Sequence, residues 1–222
     1  MARWIYLHGF ASSPASAKAR AFQAWGAARG LAIDALDLRV PSFEHLRFSA
    51  MKSRVREAID GAGDRVVLIG SSLGGLTACR VAEEEPRVSA VFAMAPAFRL
   101  ADRWRARIGD AAWESWRRDG FLEVDDYATK QKGRVDFGFV DELRDLDERP
   151  GPWPDVRVPV CVVHGTRDDV VPVDLSRAWA ADRPNVALIE VDDTHELTAS
   201  IPRILLEAQG FFARIGIDAG GS

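Results

Sequence analysis

Six short apolar runs, at residues 4–7, 31–38, 66–69, 88–94, 158–163 and 186–191, punctuate the chain with helical stretches between them. Runs this short, rich in Val, Ile and Leu and bounded by Gly, Pro or Asp, have the pattern of strands buried on both faces, as in a parallel sheet. The pattern predicts an α/β fold, a mainly parallel sheet flanked by helices. With 222 residues, 47% of them hydrophobic and 28% charged, one domain can bury enough surface to fold without disulfides or a structural metal.

Helix boundaries follow from the punctuation. Ser13 is expected to cap the first helix, with Pro14 at its first position, where a missing N–H costs nothing, and Gly30 as its stop. A second helix is expected over 43–59, ending at Gly61 and Gly63, and a third from about Ser72 towards Glu84, closed by Pro86. The last should run over 197–215, weakened at Gly210.

The alternation breaks at 97–154, where a helical stretch, a hairpin and another helical piece precede the segment Arg149-Pro-Gly-Pro-Trp-Pro. An excursion between two strands of a regular sheet is expected to form a cap. Its aromatics include Trp104, Trp113, Trp116, Phe121, Tyr127, Phe137 and Phe139. Packing the cap onto the body accounts for most of them, and one or two could line an acyl pocket. Arg103, Arg105, Arg107, Arg117 and Arg118 alternate with Asp102, Asp110, Glu114 and Asp119, the make-up of a solvated helix face; an anion-recognising patch for a coenzyme A ester is the alternative.

Composition narrows the function. A net charge of −4 argues against general nucleic-acid binding, which normally shows as a basic patch. No apolar run approaches the roughly 20 residues of a membrane span, and the N-terminus turns polar too soon for a signal peptide, so a cytoplasmic location is expected. Cys79 and Cys161 lack metal or redox spacing and are expected to be buried thiols; neither a metal nor a cofactor is called for. The oligomeric state is not written in the sequence.

The chemistry centres on Gly70-Ser71-Ser72-Leu73-Gly74, a GxSxG pentapeptide between an apolar run and a helical pattern. In that context the serine sits on a sharp strand-to-helix turn, its hydroxyl exposed at the sheet end above a helix N-terminus. Two later segments give it partners. His164-Gly-Thr-Arg-Asp168 places an aspartate just past a strand, with Asp169 as competitor, and Asp192-Asp-Thr-His195 places a histidine in the loop before the last helix. Serine is a weak nucleophile near neutrality and needs an imidazole to take its proton, and the acid orients the ring and stabilises the imidazolium. Of the four histidines, His8 and His164 precede glycines at strand ends and are expected to be buried loop-shaping residues, while His45 is expected at the surface. The oxyanion site is expected at the N–H of Leu73 and, from the loop after the first strand, of Phe10.

Taken together, Leu-His-Gly-Phe-Ala-Ser-Ser-Pro near residue 10, Gly-Ser-Ser-Leu-Gly-Gly, His-Gly-Thr-Arg-Asp and the later Thr-His resemble the small bacterial YqiA-like esterases of the α/β-hydrolase superfamily. The resemblance spans residue 4 to about residue 210 and is loosest over 97–154. It implies an esterase fold, a triad of Ser72, Asp168 and His195, and an oxyanion hole at Phe10 and Leu73. The expected reaction is hydrolysis of a small-molecule ester or thioester through an acyl-serine intermediate. A serine peptidase or acyltransferase would share the triad, and a non-catalytic ligand-binding relative is the reading from a different class.

Overall fold

The computed structural model describes residues 2–61, 63 and 65–217. Six strands, β1 (Arg3–Leu7), β2 (Ile33–Leu36), β3 (Val66–Ser71), β4 (Val88–Met94), β7 (Val160–Gly165) and β8 (Val186–Val191), form one sheet in the order β2-β1-β3-β4-β7-β8. All neighbours are parallel. Between successive strands run α1 (Ala17–Ala27), α2 (Phe48–Asp60), α3 (Leu73–Ala82) and α6 (Val173–Ala180), and α7 (Ile201–Arg214) follows β8.

Period-two alternation explains why both faces are covered. From β1, Ile5 and Leu7 point into one core layer with Leu68 of β3 and with Val55 and Ile59 of α2. Trp4 and Tyr6 point the other way, to Phe22 of α1 and to Phe211 and Phe212 of α7. Both cysteines are buried, Cys79 in the first layer and Cys161 in the second, and burial pushes each thiol up to about 12. Chain order reverses direction between β1 and β3, and open α/β sheets bind ligands at that crevice, outside the carboxyl ends of the strands.

Several boundaries differ from expectation for local reasons. The cap of α1 is Ser16, whose Oγ accepts the Ala19 N–H at 3.2 Å; Ser13 and Pro14 instead form the preceding turn, which Ser16 N–H closes onto the Ser13 carbonyl at 3.1 Å. α2 begins at Phe48 rather than residue 43, because 42–47 form a turn in which Ser42 Oγ accepts the His45 N–H and the Arg47 N–H reaches the Val40 carbonyl. Gly210 does not interrupt α7, whose face carrying Ile204, Ala208 and Phe211 is buried. α6, not singled out in the sequence, is held by Trp179, fully buried, whose Nε1–H donates to the Pro154 carbonyl at 3.0 Å.

Between β4 and β7 the chain leaves the sheet as α4 (Leu100–Asp119), an antiparallel hairpin of β5 (Phe121–Asp126) and β6 (Gln131–Asp136), and α5 (Gly138–Glu148). α4 kinks at Gly109, whose φ of 80° is outside the helical range. The buried Asp147 of α5 accepts the Ala101 N–H at 3.0 Å at the start of α4, and burial raises its pKa. Trp113, Trp116 and Phe137 pack edge to face, and Trp116 Nε1–H donates to the Val135 carbonyl at 2.9 Å. Ion pairs fasten the hairpin to the loop after β2, among them Arg39 to Asp126 at 2.7 Å, Arg47 to Asp136 at 2.6 Å and Arg134 to Glu44 at 2.5 Å. On the outer face of α4, Arg105 pairs with Asp110, Arg117 with Glu114 and Arg118 with Asp119, all exposed, which is the arrangement of a solvated face.

Candidate active site

Ser72 ends the turn from β3 into α3 with φ 53° and ψ −116°, a conformation that costs a non-glycine residue about 1–3 kcal/mol. The surroundings enforce it. Its N–H donates to the Met94 carbonyl at 2.8 Å, and its carbonyl accepts from Leu76 at 3.0 Å and Ala97 at 3.1 Å. A Cβ on Gly70 would lie 2.3 Å from the Gly74 oxygen and one on Gly74 would lie 2.1 Å from the Leu7 oxygen, so only glycine fits at either flank. Other positive-φ residues cluster at the same edge of the sheet: Ala11 after β1, Ala95 after β4 and Leu197 after β8.

His195 Nε2 lies 3.0 Å from Ser72 Oγ, and His195 Nδ1 lies 2.7 Å from Asp168 Oδ2. A carboxylate only accepts, so Nδ1 carries the proton, which leaves Nε2 of the neutral ring to accept the Ser72 O–H. Asp168 is wholly buried at its side chain while Asp169 faces solvent. Asp168 Oδ1 accepts the N–H groups of Val170 at 2.9 Å and Val171 at 2.7 Å, which turns Oδ2 towards the two histidines. Burial acts to raise its pKa, but hydrogen bonds from His164 and His195 outweigh it and hold the carboxyl well below the usual range.

Two further histidines, His164 and His8, brace this arrangement. His164 Nε2 lies 3.1 Å from Asp168 Oδ2 and 2.8 Å from the Val171 carbonyl; both are acceptors, so Nε2–H donates to both. His8 Nε2 accepts the Leu38 N–H at 3.0 Å, so the ring proton is on Nδ1, which donates to the Gly9 carbonyl at 2.8 Å. Burial lowers the pKa of His8 and favours that neutral ring. In a trans peptide the N–H points opposite the C=O, so pinning the Gly9 carbonyl also fixes the Phe10 N–H. Leu73 opens α3, where the N–H has no intrahelical partner. A Cβ on Gly9 would lie 3.3 Å from Ser72 Cβ and 3.9 Å from Ser72 Oγ, so the loop after β1 lies directly against the serine.

Two cations sit behind the relay and were not singled out for this place. Lys18 Nζ donates to the Glu196 carbonyl at 2.6 Å, tying α1 to the His195 loop, and burial lowers its pKa to about 8. Arg103, expected on the solvated face of α4, instead turns inward, donating to the carbonyls of Phe98 and Val170, and burial lowers its pKa to about 10. Their composition context, an alanine-rich helix and a charge-dense helix, gave no signal of either contact. His45 is half exposed and pairs with Asp136 on the hairpin.

The aromatics of the inserted segment divide. Trp113 and Trp116 are buried among themselves and Phe137. Trp104 packs on the Phe10 ring, centroid to centroid 5.0 Å, and on Trp116 at 5.2 Å. Phe121 packs instead on His45, beneath the Arg134 guanidinium.

Among the described residues, no helix is long and apolar enough to cross a membrane. The model of an uncharacterised protein family, UPF0227, matches residues 3–212. No curated protein matches the sequence at a significant level. Among solved structures, mouse alpha/beta hydrolase domain-containing protein 10 superposes with a TM-score of 0.77 at 21% identity, covering 95% of this chain and 89% of that one. Est1E from Butyrivibrio proteoclasticus gives 0.73 at 19% identity, with 98% and 89% covered, and an esterase of Pyrococcus furiosus gives 0.61 at 17%, with 96% and 82% covered. At these identities the likeness establishes the α/β-hydrolase fold.

Proposed function

This chain belongs to the UPF0227 family and has the α/β-hydrolase fold, and from its site we propose that it is a serine hydrolase cleaving carboxylic esters or thioesters. The observation that carries the reading is the unbroken relay from Ser72 Oγ through His195 to the buried Asp168, at 3.0 and 2.7 Å. The names of fold neighbours, one an esterase and others hydrolases, are consistent with it.

In this mechanism His195 Nε2 takes the proton as Ser72 Oγ attacks the substrate carbonyl carbon. The C=O electrons move onto oxygen, and the N–H groups of Phe10 and Leu73 donate to it, where a preorganised donor is worth about 10²- to 10³-fold. Asp168 stabilises the imidazolium, which then protonates the departing alcohol or thiol as the tetrahedral intermediate collapses to acyl-Ser72. Water, deprotonated by the same imidazole, releases the acid and restores the hydroxyl. The strained elbow keeps Oγ clear of its own helix throughout.

The test is turnover of a short p-nitrophenyl ester by purified variants. Ser72→Ala and His195→Ala should each lower kcat by roughly 10⁴- to 10⁶-fold while remaining folded. If Ser72→Ala kept more than about a tenth of wild-type turnover, the nucleophile would be elsewhere.

A further inference from the structure

Arg103 lies in α4 ahead of the Gly109 kink, and its guanidinium bridges two loops at the carboxyl edge of the sheet. Nε donates to the carbonyl of Phe98, after β4, at 2.9 Å, and Nη1 donates to the carbonyl of Val170, after β7. The first loop holds the nucleophile, because the Ala97 N–H beside Phe98 donates to the Ser72 carbonyl at 3.1 Å. The second carries Asp168.

The contact with Val170 acts on the acid itself. The Val170 carbonyl and the Val171 N–H belong to one peptide unit, and in a trans peptide they point in opposite directions. Arg103, by holding the carbonyl, aims the Val171 N–H at Asp168 Oδ1, 2.7 Å away, and leaves Oδ2 to His195. A cation on the carbonyl oxygen also polarises the unit and strengthens its N–H as a donor to the carboxylate.

The placing of this charge is costly for a group that only packs a helix. Arg103 Nη2 is buried without a hydrogen-bond partner among the described residues, and the carboxylates facing the side chain, Asp168 and Asp147, act on it across space. Burial lowers its pKa only to about 10, so it is a cation at neutral pH. Arg107 faces it from the same helix. Of the other charged or titratable groups, His164 and Lys18 face Asp168, Glu196 faces His195, and Asp193 and Glu196 face Lys18.

We infer that Arg103 is a positioning residue through which the inserted segment governs the relay: it fixes the peptide that orients Asp168, and its buried charge opposes uptake of a proton by the Asp168–His195 pair. The inference rests on that pair serving Ser72 as proposed above. The inserted segment is then part of the catalytic machinery as well as a cover beside it.

The experiment is kcat and KM for a short p-nitrophenyl ester from pH 5 to 9, with fluorophosphonate labelling of Ser72 counting active sites and a thermal melt on each preparation. Arg103→Met removes the charge and both donors at similar length. Its kcat should fall by about tenfold, since misplacing a relay group costs up to about 10²-fold, with KM changed by less than about threefold. The acid limb of kcat/KM should move up by about half a pH unit or more, as protonation of the pair becomes about threefold easier. Arg103→Gln also lacks the charge and should move the limb the same way with a smaller loss of kcat. Arg103→Lys keeps the charge and should hold the limb within about 0.2 unit of wild type. Arg107→Met removes an exposed cation one turn along and should move neither limb nor kcat. A limb unmoved in folded Arg103→Met or Arg103→Gln, or moved equally by Arg107→Met, overturns the inference, as does failure of both uncharged variants to fold, which would assign Arg103 to stability alone. In each of these cases labelling and turnover of the wild type leave the hydrolase reading standing. Absence of both from the wild type overturns the two together.

Discussion

Replacing His8 isolates the way the proposed oxyanion site is held. The ring forms no hydrogen bond to Ser72, His195 or Asp168, yet its Nδ1–H fixes the Gly9 carbonyl at 2.8 Å and its Nε2 accepts the Leu38 N–H at 3.0 Å. His8→Leu leaves both backbone groups buried without that partner, at about 1–3 kcal/mol each. The Ser12 N–H still reaches the Gly9 carbonyl at 3.3 Å, so the loss should sit in the lower half of the range. That is a substantial part of the 5–15 kcal/mol that typically holds a domain together, but it should leave a folded protein. With the Gly9–Phe10 peptide free to turn, the Phe10 N–H is lost as a preorganised donor, and kcat should fall by about 10²-fold, towards the full worth of one oxyanion donor. KM should change by less than about threefold, because a ground-state carbonyl gains little from that N–H. His8→Asn sets an amide N–H near the Nδ1 position and should recover kcat to within about tenfold of wild type, since the donor to Gly9 returns. Steady-state kinetics on a short ester, with thermal melts on the same samples, read all three quantities. A folded His8→Leu with unchanged kcat, or a rise in KM at constant kcat, would refute the reasoning.

Asp168→Asn should lower kcat by about 10⁴-fold, because an amide favours the wrong histidine tautomer, and Asp169→Asn should lower it by less than threefold, about the scatter of a surface change; equal losses would move the acid to Asp169. The pH dependence of stability follows from the same carboxylate. Its folded pKa is depressed, so its contribution is fully present above the unfolded value of about 3.9 and is lost as pH falls towards the folded value. The Tm of wild type minus that of Asp168→Asn should therefore shrink as pH drops from about 5 to 3. A difference that stays constant over that window would contradict the depressed pKa.

Strands were legible where hydrophobic runs and backbone pairing coincide, as in β4 and β8, whose ends match the apolar runs. They were less so where apolar residues outrun the ladder. Residues 31, 32, 37 and 38 flank β2 without pairing, and Val158 and Pro159 precede β7, the proline carbonyl only accepting the Val91 N–H. Helix starts shifted where a plausible cap was used for a turn, as at Ser13. The proposed role of Ser72 could be read because a strand-to-helix elbow is a local motif. The choice of Asp168 over Asp169 rested on the family-like spacing alone, because in the structure it depends on which side chain captures the Val170 and Val171 N–H groups. His8 was recognisable as a buried loop residue, but its partner at Leu38 lies 30 residues away, beyond any local pattern. The tryptophans of α4 drew attention as pocket candidates, since composition cannot distinguish rings packed on one another from rings facing a ligand.

The most direct test of the central claim is the site of covalent modification by a fluorophosphonate, read by intact mass and peptide mapping. One adduct on Ser72 is predicted, absent in Ser72→Ala and formed at least about 10²-fold more slowly in His195→Ala, where no base takes the serine proton. Modification of another residue, or labelling of Ser72 at an undiminished rate without His195, would contradict the account.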